Sequence, residues 1–186
     1  MATDYPQTIN EEAQEVAKNW FYKIMSISEV IPRFYIQCAF MKFHEYKTEF
    51  KTVDTFDILS ATVRGMGNPL LAAYSRMFFL KCIGSSGDTN VGNMNISFQE
   101  ISIVLQSLSE DKPKTFEKIT FEDYISLFKP SVAWVVMMFL KYQSEKKILK
   151  TIKDISNEKS SIILLESFLN LLPASIISAN SKVLVQ

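Results

Sequence analysis

One histidine, two cysteines, a Gly-x-Gly pair and a run of lysines are the side chains here with the means to do chemistry. None stands in a constellation that would. His44 is the only histidine, and its neighbour Glu45 points to a different face of any helix, so the two form no acid–base pair. No Cys-x-x-Cys or His-x-x-x-His spacing occurs, so no metal ligand set is visible. Cys38 and Cys82 lie inside apolar helical patterns and read as buried, reduced thiols. Gly65-Met66-Gly67 lacks the Lys and Ser/Thr of a phosphate loop and reads as a helix stop. Lys146, Lys147, Lys150 and Lys153 are interleaved with Glu145 and Asp154 and read as a solvated helix face, with contact to anionic lipid as the alternative. The expectation is a non-catalytic protein with no cofactor and no metal.

One charged residue stands out for its surroundings. Ile31-Pro32-Arg33-Phe34-Tyr35 opens a predicted helix from about Ser28 to Tyr46, with Ser28 as cap and Glu29 at the positive end of the macrodipole. Pro32 is tolerable there because the first turn needs no N–H. Phe34, Tyr35, Ile36, Cys38, Ala39, Phe40, Met41 and Phe43 make that helix apolar on nearly every side, which predicts burial on nearly every side. Arg33 shares its one polar stripe with Gln37 and His44. Two readings of Arg33 stay open: a docking residue, or the partner of Asp54 or Asp57 on the next helix.

The elements that would position these residues are helices. Helix one is predicted from Asn10 to about Ser26, with Ala13, Val16, Trp20 and Ile24 on one face. A third begins near Thr52, turns Val53, Phe56, Leu59 and Val63 inward, and ends at Gly65. Asn68-Pro69 restarts the chain as cap and first helical residue, and a largely apolar helix follows from Leu70 to Ile83. Gly84 to Asn95 reads as a polar, disordered loop. Further helices are expected over Ser97–Leu108, Phe121–Phe128, around Trp134–Phe139, over Ser144–Ile155 and Ser160–Leu172, and partially over Ala174–Ala179. Ser109–Thr120 reads as a charged loop.

Amphipathic helices start near positions 10, 52, 97 and 144, each followed by a more thoroughly apolar one. Helix pairs at intervals of about 40–47 residues are the spacing of HEAT and armadillo repeats. The predicted fold is therefore all-α: an α-α superhelix of about eight to ten helices, with a single irregular bundle as the alternative. The expected organisation is a flexible stretch over 1–9, a helical repeat domain over 10–180 and a tail over 181–186. Only 5 of 186 residues are Gly while 14 are Phe, which suits long packed helices better than hairpins. The formal net charge is zero, so no global field draws the chain to nucleic acid. The amino end shows no signal peptide. The longest unbroken apolar run, Val132 to Leu140, is shorter than the roughly 20 residues of a membrane span, so a cytosolic chain is expected.

Two stretches carry a family resemblance. Phe21-Tyr22-Lys23-Ile24-Met25-Ser26-Ile27 leading into Ile31-Pro32-Arg33-Phe34-Tyr35 resembles the Pro-Arg-Leu-Tyr region of the large α-solenoid subunit of retromer-type complexes. Thr62-Val63-Arg64-Gly65-Met66-Gly67-Asn68-Pro69-Leu70 resembles that family's following Arg-Gly-x-x-x-Pro-Leu turn. The Phe-Tyr-Lys-Ile wording, the second glycine, and Pro130 followed by Trp134 are closer to the retriever paralogue. Asn68 stands where the family pattern has Asp, a change that keeps the cap. The resemblance is strongest over residues 16–83 and continues by pattern to about 180.

That resemblance implies a scaffold in an endosomal cargo-recycling coat, cytoplasmic and peripheral on endosomes, with membrane association only through other coat subunits. It implies an arrestin-fold sorting subunit as partner, docked through Pro32, Arg33, Phe34, Tyr35 and the neighbouring Gln37. Arg64, Gly65, Gly67, Asn68 and Pro69 are implied as a structural turn. The family's longer chain holds a phosphoesterase-fold subunit through a half that has no counterpart here, so a fragment or truncated relative is expected. The alternative function is a helical lipid- or small-molecule-binding domain whose Phe and Met side chains line a cavity. Ile176-Ile177 and Val183-Leu184-Val185 keep the carboxyl end apolar, which predicts self-association there.

Overall fold

Apolar side chains recurring at steps of three and four wind this sequence into helices whose stripes must then cover one another. The computed structural model describes residues 7–41, 52–86, 91–108, 119–157 and 162–180. Among them are ten helices and no strand: α1 Gln7–Met25, α2 Val30–Ala39, α3 Thr52–Arg64, α4 Pro69–Ser86, α5 Val91–Ser107, α6 Phe121–Ser126, α7 Lys129–Tyr142, α8 Glu145–Asn157, α9 Ile162–Leu171 and α10 Ala174–Ala179.

The helices form two layers. The apolar α2, α4, α7 and α9 pack in series, each against the next. The helices that precede them lie over them as pairs: α1 on α2, α3 on α4, α5 on α7 and α8 on α9. This all-α, solenoid-like layering is the arrangement that the repeat spacing predicts. Aromatic rings fill the α2–α4, α3–α4, α5–α7 and α7–α9 junctions. Phe79 of α4 meets Phe34 of α2 at 6.5 Å and Phe56 of α3 at 6.2 Å. Phe98 of α5 stacks on Phe139 of α7 at 4.5 Å, and Phe168 of α9 meets both edge-on. Tilted and edge-on pairs of this kind add about 0.5–1.5 kcal/mol each beyond the area they bury.

Residues 121–142 are long and apolar enough, by length and composition alone, to cross a membrane. Here they are the centre of the core. The chain turns at Leu127–Phe128 between α6 and α7, and Val132, Val135, Val136, Met138 and Phe139 of α7 are buried. In α8, Ile148, Ile152 and Ile155 are buried while Lys146, Lys147, Lys150 and Lys153 are exposed, which is the solvated lysine face expected.

Three expectations are corrected. The stretch from Gly84 to Asn95 is not a loop throughout: α4 runs to Ser86 and α5 begins at Val91, leaving 87–90 outside the described residues. A Cβ built on Gly84 would lie 2.7 Å from Met138 Cε, so this glycine brings α4 close to α7 and breaks nothing. Met94, at 1% exposure, starts the buried stripe that continues through Phe98 and Ile101.

The second correction is that α2 starts and ends inside its predicted range. Its cap residue is Glu29, with no side-chain cap bond, because the Ser28 side chain hydrogen-bonds the Glu29 carboxylate and lowers its pKa. At the other end Phe40 leaves the helix and turns its ring toward Trp20 at 6.1 Å; residues 42–50 lie outside the described ones. The third correction concerns burial: α2 is fully buried along Phe34 and Cys38 alone, while Val30, Ile31, Pro32 and Ala39 are exposed. α1, α3 and α4 cover one flank and leave its first turn open.

Candidate docking site

The corner between α1 and α2 is held by side chains that tie back to backbone. Pro32, third in α2, needs no N–H partner, and the first helical bond runs from Arg33 N to Glu29 O at 3.2 Å. Ile27 N bonds Ile24 O at 3.2 Å, but the Ile27 carbonyl faces the start of α2. Arg33 Nη1 donates to it at 3.0 Å. Gln37 Nε2 donates to Met25 Sδ at 2.9 Å and fixes the end of α1 to the next turn of α2. Among the described residues no ion pair joins Arg33 to Asp57, which is exposed; the side chain of Asp54 lies outside them.

The residues singled out from the sequence divide by exposure. Phe34 is fully buried and sits edge-on to Tyr35 at 5.6 Å. Tyr35 is half-buried, packs on Phe78 of α4 at 4.9 Å and receives a bond from the Ser75 hydroxyl at 3.4 Å. Arg33 and Gln37 are half-buried. What α2 presents to solvent here is Pro32 with Ile31 (42% exposed) and Val30; Tyr22 (55%) and Met25 near the end of α1 are exposed as well. His44 lies outside the described residues, and no group of three or more His, Cys, Asp or Glu that could hold a metal occurs among the described ones.

The turn between α3 and α4 is fixed at its second half. Asn68 accepts from Leu71 N through Oδ1 at 3.0 Å, its carbonyl accepts from Ala72 N, and Pro69 opens α4, as cap-then-proline predicts. The glycines are freer than their place in a motif suggests. A Cβ on Gly65 would meet only ordinary contacts from 3.5 Å outward, and one on Gly67 would meet nothing within 4 Å.

Arg64 does more than end α3. It belongs to a three-residue charge node that sequence reasoning missed. Arg76 of α4, 2% exposed, donates from Nε (3.1 Å) and Nη2 (2.9 Å) to Glu100 Oε2 of α5. Arg64 Nη1 stands 3.5 Å from the other carboxylate oxygen. Burial pulls the Arg76 guanidinium below its ordinary pKa, and the adjacent Glu100 carboxylate opposes that. The signal was present: Glu100 is the only acidic residue in α5, and Arg76 interrupts an otherwise apolar stretch of α4.

The family model described as VPS35L, covering that family's amino-terminal region, matches residues 2–127. The "VPS35 endosomal protein sorting factor-like" protein of Dictyostelium discoideum is 30% identical over 185 residues, 93% of this chain and 18% of its own length. The zebrafish (Danio rerio) relative is 26% identical over 78% of the chain and 15% of its own length. The human relative is 22% identical over 95% of the chain and 19% of its own length. The chain thus spans less than a fifth of the length of these relatives. With a family model covering more than half of its residues, this chain belongs to the VPS35L family.

Proposed function

We propose that this protein is a non-catalytic scaffold of an endosomal protein-sorting complex, cytoplasmic and peripheral on endosomes, that docks an arrestin-fold sorting subunit through the α1–α2 corner. Family membership and the names of the relatives, endosomal protein-sorting factors, support the first half of this reading. One observation supports the second. The region resembling the docking motif sits at a corner braced by the Arg33–Ile27 bond and presents an apolar edge, Val30, Ile31 and Pro32, to solvent. Interfaces centre on such apolar anchors held in one conformation by neighbours. In this reading Ile31 and Pro32 touch the partner. Arg33, Tyr35 and Gln37 hold them in place, and Phe34 anchors α2 to the core.

The test is calorimetric titration of the purified chain with the arrestin-fold subunit from the same organism. Saturable one-to-one binding is expected. Ile31→Asp should weaken it by about thirtyfold, the loss of a 2 kcal/mol hot spot, with no change in helical signal. Absence of binding by the folded chain would refute the docking assignment.

A further inference from the structure

The outer face of α8 carries charge that the fold does not use. Ile148, Ile152 and Ile155 hold this helix on the core, where it packs against α9. On the side away from them Lys146, Lys150 and Lys153 follow one another at steps of four and three, so they form one ridge about 10 Å long. Lys147 stands beside it, and all four lysines are exposed. The two acidic residues of α8, Glu145 and Asp154, fall on the flanks of the ridge. Glu145 is taken by a 2.7 Å bond from Asn180 Nδ2, and Asp154 lies one turn from Lys150 without pairing to it. Among the described residues no ion pair reaches any of the four lysines.

The chemistry of the ridge selects its partner. The chain's formal net charge of zero supplies no long-range field. This line of cations therefore acts on an anionic body that comes within a Debye length, about 8 Å at physiological salt. Every cation in it is a lysine. Lysine is a hydrated point charge on a flexible stem, whereas the planar guanidinium of arginine grips one phosphate or carboxylate in a fixed bidentate geometry. Point charges on flexible stems suit a fluid array of anions. The ridge is also convex, on the far side of its helix from the core, which suits contact with a flat surface. A helix that inserts into a membrane needs its apolar face free. In α8 that face is buried, so the contact is electrostatic alone.

We propose that the α8 lysine ridge contacts a bilayer containing anionic phospholipid, with Lys146, Lys150 and Lys153 facing the lipid headgroups. Each lysine near such a surface tightens binding about fivefold. Three of them orient a protein held at the membrane by a second attachment and do not anchor it alone. This contact goes beyond the docking corner, which is built on α1 and α2, and neither depends on the other.

Vesicle flotation of the full 186-residue chain at low salt tests it. Vesicles of equal parts phosphatidylserine and phosphatidylcholine are compared with phosphatidylcholine alone. Binding to the anionic vesicles only is expected, falling as salt is raised. Lys150→Gln should weaken it about fivefold, and Lys146→Gln, Lys150→Gln and Lys153→Gln together roughly a hundredfold. All three positions are exposed, so helical signal should not change. The matching triple lysine-to-arginine variant should bind as the native chain does. Ile31→Asp, which tests the docking corner, should leave vesicle binding unchanged. No binding to anionic vesicles, equal binding to neutral ones, or binding indifferent to the triple glutamine variant overturns the proposal. Tighter binding to soluble polyglutamate overturns it too, and would assign the ridge to an acidic protein segment.

Discussion

The guanidinium of Arg33 lies 3.0 Å from the carbonyl oxygen of Ile27, so one cation closes the chain reversal between α1 and α2. A hydrogen bond from a charged donor, partly open to water, contributes about 1–2 kcal/mol. Arg33→Ala should therefore lower the denaturation free energy by that amount. Pairing with a buried carboxylate would instead cost on the order of 3–5 kcal/mol. Urea unfolding separates the two, and a loss at the upper range would mean that Arg33 has an acidic partner.

The Arg64–Glu100–Arg76 node gives a sharper contrast. Glu100→Ala strands the buried Arg76 guanidinium and should cost about 3–5 kcal/mol. Arg64→Ala removes a half-exposed partner and should cost about 0.2–1 kcal/mol. Replacing the inner pair together, Arg76→Met with Glu100→Leu, should recover most of the stability lost in Glu100→Ala. Equal losses at Arg64 and Glu100 would contradict the burial difference between the two arginines.

Two glycines should respond oppositely to a larger side chain. Gly67 has open space and no left-handed backbone, so Gly67→Ala should raise stability by about 0.4–1 kcal/mol by restricting the unfolded chain. Gly84 faces the movable terminal methyl of Met138 across the α4–α7 contact, so Gly84→Val must displace that methyl and should cost about 1 kcal/mol, the low end of overpacking. Thermal melts of the two variants check both signs.

Thiol chemistry should distinguish the cysteines. Burial, and to a lesser degree the neighbouring Cys82, push the Cys38 thiol far above the ordinary range, and it is 1% exposed. Reaction requires thiolate, so Cys38 should resist a disulfide reagent at neutral and mildly alkaline pH until the chain unfolds. Half-buried Cys82 should react first. Two equal, fast phases in the native protein would show that α2 opens from the core.

Much of this was legible in the residues, for reasons that differ by element. Asn68-Pro69 announced a helix start because capping is local chemistry that needs no tertiary contact. The stripes of α3 and α8 were readable because half of each helix is polar. The segment around Gly84 misled because a helical glycine and a loop glycine look alike until the facing helix is known, and Met138 is 54 positions away in sequence. The same limit hid Glu100. Its partners come from two other helices, and only the fold brings them to one carboxylate. At the α1–α2 corner the motif was found, but its division into Ile31 and Pro32 facing out and Phe34 facing in was not. An apolar run carries no mark of which side neighbours will cover.

The serial packing of α2, α4, α7 and α9 also sets how the molecule comes together and apart. Each inner helix touches mainly the pairs adjacent to it in the chain, so little loop-closure entropy must be spent before native contacts form, and folding should be fast for this length. Stability in such an array is a sum of nearest-neighbour couplings. The outermost pairs, each with a single junction, should exchange amide hydrogens first, while α7, clasped by α4, α5 and α9, should be the last segment to open.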